Sequence, residues 1–393
     1  MAEQGSLKKG FVAVVKREMR RWVSRPLYIL CIVFLPLFGY LFFLTLMDEG
    51  LPRRLPAGVV DLDRTPTSRN FIRQLNSFSE THIVLAANSY TEARKAVQAG
   101  EIYGFVVIPE DFEAKALSGR RPELTFYTNN IYFIPGALLF KDFKTMSVLA
   151  SGAVVQQTML AKGAYEYQMS PQLQPIVTDM HSLGNPWISY AIYLCNSFLP
   201  GMLQLMVLLV TVFSIGSEIK HQTSREWLRT GQGSITVALS GKLMPQTVLF
   251  TIMGLFCQTL LYGYWHFPLN NHFWHMALAM LLLVVASQSY AVIMMSFAPS
   301  LRIGLSIAGL FGIISFSITG FSFPAPAMYT PFQILSNIFP LRHYFLIYAD
   351  QALNGIPLYY SRVQYLALLL FAIASVPLLP RLKRALIKQV YVP

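Results

Sequence analysis

His272 and His275 stand one helical turn apart, a spacing that can grip a metal ion. No cysteine or carboxylate lies near them in the chain, so they read as interfacial histidines, and no metal site is expected. Asp61 and Asp63 end an apolar run and form a carboxylate pair of the kind that does acid–base work. The residues that follow, Arg64-Thr65-Pro66, instead spell a turn and the opening of a helix, where aspartates serve as caps. Phosphate-cradling patterns are missing. There is no G-x-x-x-x-G-K-[ST], and Gly231-Gln-Gly-Ser-Ile falls short of both that loop and the dinucleotide fingerprint. H-E-x-x-H and G-x-S-x-G are absent as well. The chain is therefore not expected to be an enzyme or to bind a cofactor itself.

One further segment is chemically dense: Gly216 to Gly231, with Glu218, Lys220, Thr223, Arg225 and Glu226 around Trp227 and Leu228. It is short, charged and compatible with a helix. Trp227 and Leu228 read equally well as apolar knobs offered to a partner or as residues of a solvated loop with a buried tryptophan.

What must position these groups is set by composition. Of 393 residues, 54% are hydrophobic and only 13% charged, well below the quarter or so usual in soluble domains. The apolar residues are clustered in runs, as a bilayer requires. Six runs are expected to span: Pro26 to Met47, about Ile188 to Ser217, Leu243 to Tyr264, Phe273 to Ala298, Ile303 to Phe323, and Val363 to Pro380. Their apolar centres carry no Asp, Glu, Lys or Arg, so buried ionisable groups of the kind that proton-coupled carriers use are not expected. Residues 1–25 form a basic interfacial helix before the first run, which is too long for a signal-peptide core and is followed by no small-x-small cleavage site. The three cysteines, Cys31, Cys195 and Cys257, lie in or beside apolar runs and none falls in the polar stretch 50–185, so no disulfide framework is expected in the outer domain.

Counting charge by loop fixes an orientation. With six spans, the amino-terminal stretch, the loop 218–242, Arg302 and the basic tail 381–393 share one side. That side holds sixteen basic residues against Glu3, Glu18, Glu218 and Glu226, which accounts for the whole formal charge of +12. The positive-inside rule then puts both termini in the cytoplasm. The basic balance reads as membrane topology, and no nucleic-acid partner is expected.

Between residues 48 and 187 the composition becomes that of a soluble domain. Strand-like runs at Ala57 to Asp63, His82 to Ala87, Ile102 to Ile108 and Leu124 to Thr128 alternate with helical patterns at Thr67 to Phe78, Ser89 to Ala99 and Pro109 to Gly119. Ser89 and Glu92 have the capping-box spacing. Ile134 to Gln168 reads as a long returning helix. The expected architecture is thus a membrane all-α protein of six helices with an α/β extracytoplasmic domain between helices one and two. At the outer end of span five Gly320 to Met328 breaks the helix, and within residues 324–362 the stretch Phe332 to Tyr348 is too interrupted to cross, so short helices dipping into the outer leaflet are expected, with an amphipathic loop on the membrane surface as the alternative.

The order of basic helix, one span, large outer domain and five further spans resembles the permease subunits of type-2 ATP-binding cassette exporters, of the multidrug-efflux kind. Val59-Val-Asp-Leu-Asp with Thr67-Ser-x-Asn-Phe, and Ala99-Gly-Glu-Ile-Tyr-Gly-Phe-Val-Val-Ile-Pro-Glu-Asp-Phe, are similar to the external-domain signature of that family. Leu199-Pro-Gly-Met resembles its entry into span two. Glu218 to Leu228 resembles its cytoplasmic Glu-x-x-x-Gly-Thr-x-Glu-x-Leu motif, with Gln222 where the family usually has glycine.

The resemblance implies a pair of permease chains, identical or related, working with two ATPase subunits that carry the ATP and magnesium, and a periplasmic membrane-fusion adaptor as a further partner. It implies residence in the bacterial cytoplasmic membrane. It makes Glu218, Lys220, Thr223, Arg225, Glu226, Trp227 and Leu228 the ATPase-coupling residues. Spans two and five would line the substrate route, with Gln204, Thr211, Ser214, Ser317 and Thr319 as polar candidates that equally suit helix packing. The implied cargo is an amphipathic small molecule, drug or lipid. A competing expectation is a membrane-anchored assembly or receptor protein whose outer domain recruits a partner without transport.

Overall fold

The computed structural model describes residues 2–48, 50–118, 120, 122–161, 185, 189–321 and 323–388. The chain divides into two compact units, residues 51–181 and residues 1–50 with 182–393.

In the first of these, four strands, β1 (Leu55–Asp61), β2 (Thr81–Ala87), β3 (Gly104–Ile108) and β4 (Thr125–Thr128), form one sheet in the order β2-β1-β3-β4. β1 is parallel to both neighbours and β4 is antiparallel to β3. Helices cover both faces, which is why β1 and β3 read as continuous apolar runs. On one face Phe71, Leu75, Phe112, Leu139, Phe143 and Met146 pack on Leu55, Ala57, Val59 and Val106. On the other, Ala93 and Ala96 of the helix Tyr90–Ala99 meet Val60, Ala87 and Phe105. The long helix Phe133–Ala161 is described to Ala161, and the remainder of the stretch expected to Gln168 lies outside the described residues.

Asp142 of this helix is 1% exposed and accepts a hydrogen bond from Thr81 Oγ1 at 2.7 Å. Burial, reinforced by the field of Glu80, pushes its carboxyl up to about 6. Glu80, although burial works the other way, is held below its ordinary value by Ser79 and by Lys141, 3.7 Å away. A carboxyl whose folded pKa exceeds its unfolded value takes up its proton first in the folded state. Stability is therefore gained as pH falls from about 6 towards 4. The thermal midpoint of the α/β unit should be higher at pH 5 than at pH 7, and Asp142→Asn should flatten the difference. Equal midpoints in the unsubstituted protein would contradict this reading.

The second unit is helical. Among the described residues, six helices are long and apolar enough to cross a membrane: Pro26–Leu46, Tyr190–Lys220, Ile235–Tyr264, Phe273–Phe297, Leu301–Ile318 and Leu358–Lys388. These are spans one to six below. Ahead of span one, α1 (Ala2–Ser24) ends at Arg25, whose backbone is extended, and Pro26 opens the span at a helix first-turn position. Spans two and five approach closely because Gly304 and Gly312 give room. A Cβ at Gly304 would sit 2.9 Å from Val212 Cγ1, and one at Gly312 2.5 Å from Leu205 Cδ1.

Several expected boundaries move. Span two is described from Tyr190, so its expected entry at Ile188 lies outside the described residues. Span three starts at Ile235 and not Leu243, since Lys242 interrupts the hydropathy run without interrupting the helix. Span five stops at Ile318 and not Phe323, because Gly320 turns the chain with φ of +95°. Span six starts at Leu358 and not Val363. The expected tail 381–393 is, through Lys388, the helix Leu379–Lys388, whose Leu379, Leu382 and Leu386 are buried. Between spans five and six, short helices occupy Thr330–Ser336 and Pro340–Tyr348, the second extended by a π-turn at Ala349–Leu353.

Candidate functional site: a buried charge cluster under a short surface helix

Where spans two and three meet α1, ionisable side chains converge. Glu218, in the last turn of span two, is fully buried. Both of its oxygens accept from Arg17, Nη1 to Oε1 at 2.6 Å and Nη2 to Oε2 at 3.0 Å. Arg21, one turn further along α1, grips the same carboxylate through Nη1, and through Nη2 at 3.2 Å. Lys242 Nζ donates to Glu218 Oε1 at 2.9 Å and to Glu18 Oε1. Thr223 Oγ1 donates to Glu218 Oε2 and accepts from Arg21 Nη2 at 3.3 Å. Lys242 also lies over the Trp227 ring, 4.8 Å from its centroid. Burial is the largest single influence on Arg17 and works against its charge, yet the hydrogen bond to Glu218 and the fields of Glu218, Glu18 and Glu226 together outweigh it and hold the guanidinium above its ordinary value.

Buried ionisable groups are thus present at the margins of the spans, outside the apolar centres to which the sequence expectation applies. Glu218 and Lys242 both lie within membrane-length helices and both are fully buried. Hydropathy missed them because they sit at the margins of their apolar runs. The sequence places Arg17 at i and Arg21 at i+4 on α1, so both reach one carboxylate, but no local signal names span two as their partner.

Around this cluster the loop folds as a short helix, Ser224–Thr230. Trp227 and Leu228 are not knobs offered outward, because both are buried. Trp227 donates from Nε1 to Ala238 O at 3.0 Å and, with Leu228, joins a core containing Val14, Ile219, Ala238, Leu382 and Leu386. The exposed charged positions are Lys220, Arg225, Glu226 and Arg229, with Thr223 half-buried. Arg225 Nε donates to Ile387 O at 3.1 Å, tying the short helix to the carboxy-terminal helix. Gln222, in the place where the resembled family usually has glycine, has φ of +55°. A side chain there costs about 1 kcal/mol that glycine would not.

The five polar candidates for a transport route separate. Gln204, Thr211, Ser214 and Thr319 are buried inside the chain. Gln204 Oε1 accepts from Ser315 at 3.4 Å, Thr211 Oγ1 donates to Gln246 at 3.5 Å, and Thr319 Oγ1 donates to Phe316 O at 3.0 Å. Gln204 and Thr211 thereby link span two to spans five and three, whereas Thr319 bonds within its own turn. Ser317 alone of the five is exposed, with its hydroxyl turned back to Ile313 O at 3.1 Å.

Asp61 and Asp63 are consumed by the turn after β1. Asp61 accepts from Arg64 N at 2.9 Å and Ser68 Oγ at 2.8 Å, and Asp63 accepts from Glu113 N at 3.1 Å and Thr65 Oγ1 at 2.5 Å. His275 Nδ1 lies 2.9 Å from Gln351 Oε1, and His272 meets it ring to ring with no carboxylate or thiol joining them among the described residues.

Six apolar helices, with charges gathered at helix ends and polar side chains turned inward, define a multi-pass integral membrane protein. The chain belongs to the ABC-2 family of transporter proteins, whose family model matches residues 26–379. No curated protein matches it. Membership makes it a membrane component of a transporter, with a permease role.

Proposed function

We propose that this chain is the permease subunit of an ATP-driven exporter, working as a homodimer or heterodimer with separate ATPase subunits that bind ATP and magnesium. The observation that carries the proposal is the helix Ser224–Thr230: a charged outer face held on a buried Trp227 and Leu228 and braced from beneath by Glu218. A surface helix that must transmit force needs a rigid seat, and this one is anchored to spans two and three and to α1 at once. Lys220, Arg225, Glu226 and Arg229 then meet the ATPase, while Glu218, Thr223, Trp227 and Leu228 hold the seat.

ATP-driven closure of the ATPase pair would push this helix and, through Glu218 and Lys242, turn spans two and three, switching the route between two permease chains. Ser317 with Ser306, Leu310 and Ile313 forms the outward face of span five and is assigned to that route. The basic side lies in the cytoplasm of a bacterial inner membrane and the α/β unit lies outside it, available to a periplasmic adaptor. The cargo is an amphipathic small molecule, drug or lipid.

The test is photo-crosslinking in intact membranes from benzoylphenylalanine placed at Arg225. Capture of a protein bearing an ATP-binding cassette is expected. If crosslinks from this position reach only lipid, while an ATPase co-purifies with the chain, the helix is not the coupling element.

A further inference from the structure

α1 carries more positive charge than its buried acids neutralise. Arg17, Arg21 and Lys242 face Glu18 and Glu218, with exposed Glu226 at 3.8 Å from Arg17. Lys16 and Arg20 lie on the same helix, exposed, with no acidic partner among the described residues. Lys16, Arg17, Arg20 and Arg21, with Ala13 and Ser24, share one open face of this helix. Beside this stripe, Val12, Met19 and Val23 fall on one line of the helix at i, i+7 and i+11, and Val23 is 86% exposed. Span one begins at Pro26, two residues beyond Ser24.

From this geometry we propose that this basic face is a binding site for the phosphate of an anionic phospholipid of the surrounding bilayer. An apolar line next to a basic stripe, on a helix that runs straight into a span, is the arrangement that lays a helix in the interfacial plane with its cations at headgroup depth. The apolar line favours lipid over a protein groove, because Val12, Met19 and Val23 need acyl chains to cover them. The surplus cations attract an anion, and a zwitterionic headgroup carries no net charge to match them. Arg17 and Arg21 stay committed to Glu218, so Lys16 and Arg20 supply the discriminating charge. The site is independent of the ATPase assignment, since neither Lys16 nor Arg20 belongs to the helix Ser224–Thr230.

The experiment is native mass spectrometry of the purified full chain with phosphatidylglycerol, phosphatidylcholine or inorganic phosphate added at equal concentration, for the unsubstituted protein and for Lys16→Gln/Arg20→Gln. Preferential retention of phosphatidylglycerol is expected, weakened roughly 25-fold in the double variant at about fivefold per cation. Inorganic phosphate should not compete at millimolar levels, because it lacks the acyl chains. Equal retention of the two lipids, or phosphatidylglycerol binding unchanged by the double substitution, would overturn the proposal. So would displacement by inorganic phosphate, which would mark a free-anion site. If the double variant keeps its lipid and instead loses the co-purifying ATPase, the stripe is a protein-docking surface and the lipid assignment fails.

Discussion

Glu218→Gln should be the most damaging conservative substitution in the membrane unit, costing about 3–5 kcal/mol of stability. The amide keeps the shape of the carboxylate but not its charge, which leaves Arg17, Arg21 and buried Lys242 facing one another with Glu18 as their remaining buried counterion. Removing one partner from a buried ion cluster strands the others, and that penalty exceeds what the pairing itself contributes. Replacing Lys242 by methionine in the same chain removes one stranded cation. The double variant Glu218→Gln/Lys242→Met should therefore recover part of the loss, a non-additivity expected only if the two charges touch. Apparent thermal midpoints in detergent would register the single substitution as a drop on the order of 10 °C. A midpoint equal to that of the unsubstituted protein would mean that the cluster does not hold α1 to spans two and three.

The parts of this fold legible in the sequence are those written in a single period. The six apolar helices follow from runs of apolar residues, because a bilayer-length helix needs no partner to identify it. Family membership was legible through the order of elements and short motifs, and the family model matches most of the chain. What escaped was whatever depends on contacts between distant segments. Trp227 looks the same in a sequence whether it points out to a partner or in to Ala238 O, and only packing decides. Lys242 looked like the end of a loop because hydropathy assigns its charge to water, yet Glu18 and Glu218, remote in the chain, neutralise it inside the protein. Gln204 and Thr211 lie on span two at positions that a helix alone cannot assign to a route or to a neighbour, and Ser315 and Gln246 claim them. The basic tail hid a helix because its leucines, Leu379, Leu382 and Leu386, recur at helical spacing among charges that lower the mean hydropathy.

Reversing Lys220, Arg225 and Arg229 to glutamate should separate coupling from folding. These side chains are exposed, so their loss leaves no cavity and each change should shift stability by about 0.5 kcal/mol or less. Arg225 does release Ile387 O, but that carbonyl belongs to an exposed residue that water can satisfy. At a docking face the same reversal converts attraction to repulsion at several points and should cost several kcal/mol of association, enough to abolish productive engagement. The measurement that decides is substrate-stimulated ATP hydrolysis by the reconstituted permease and its ATPase, comparing the unsubstituted chain with the triple reversal at matched thermal stability. The account predicts that stimulation disappears while the permease remains folded and inserted. Full stimulation by the triple variant would contradict it, and the short helix over the charge cluster would then be a brace within the membrane unit rather than the place where ATP hydrolysis is felt.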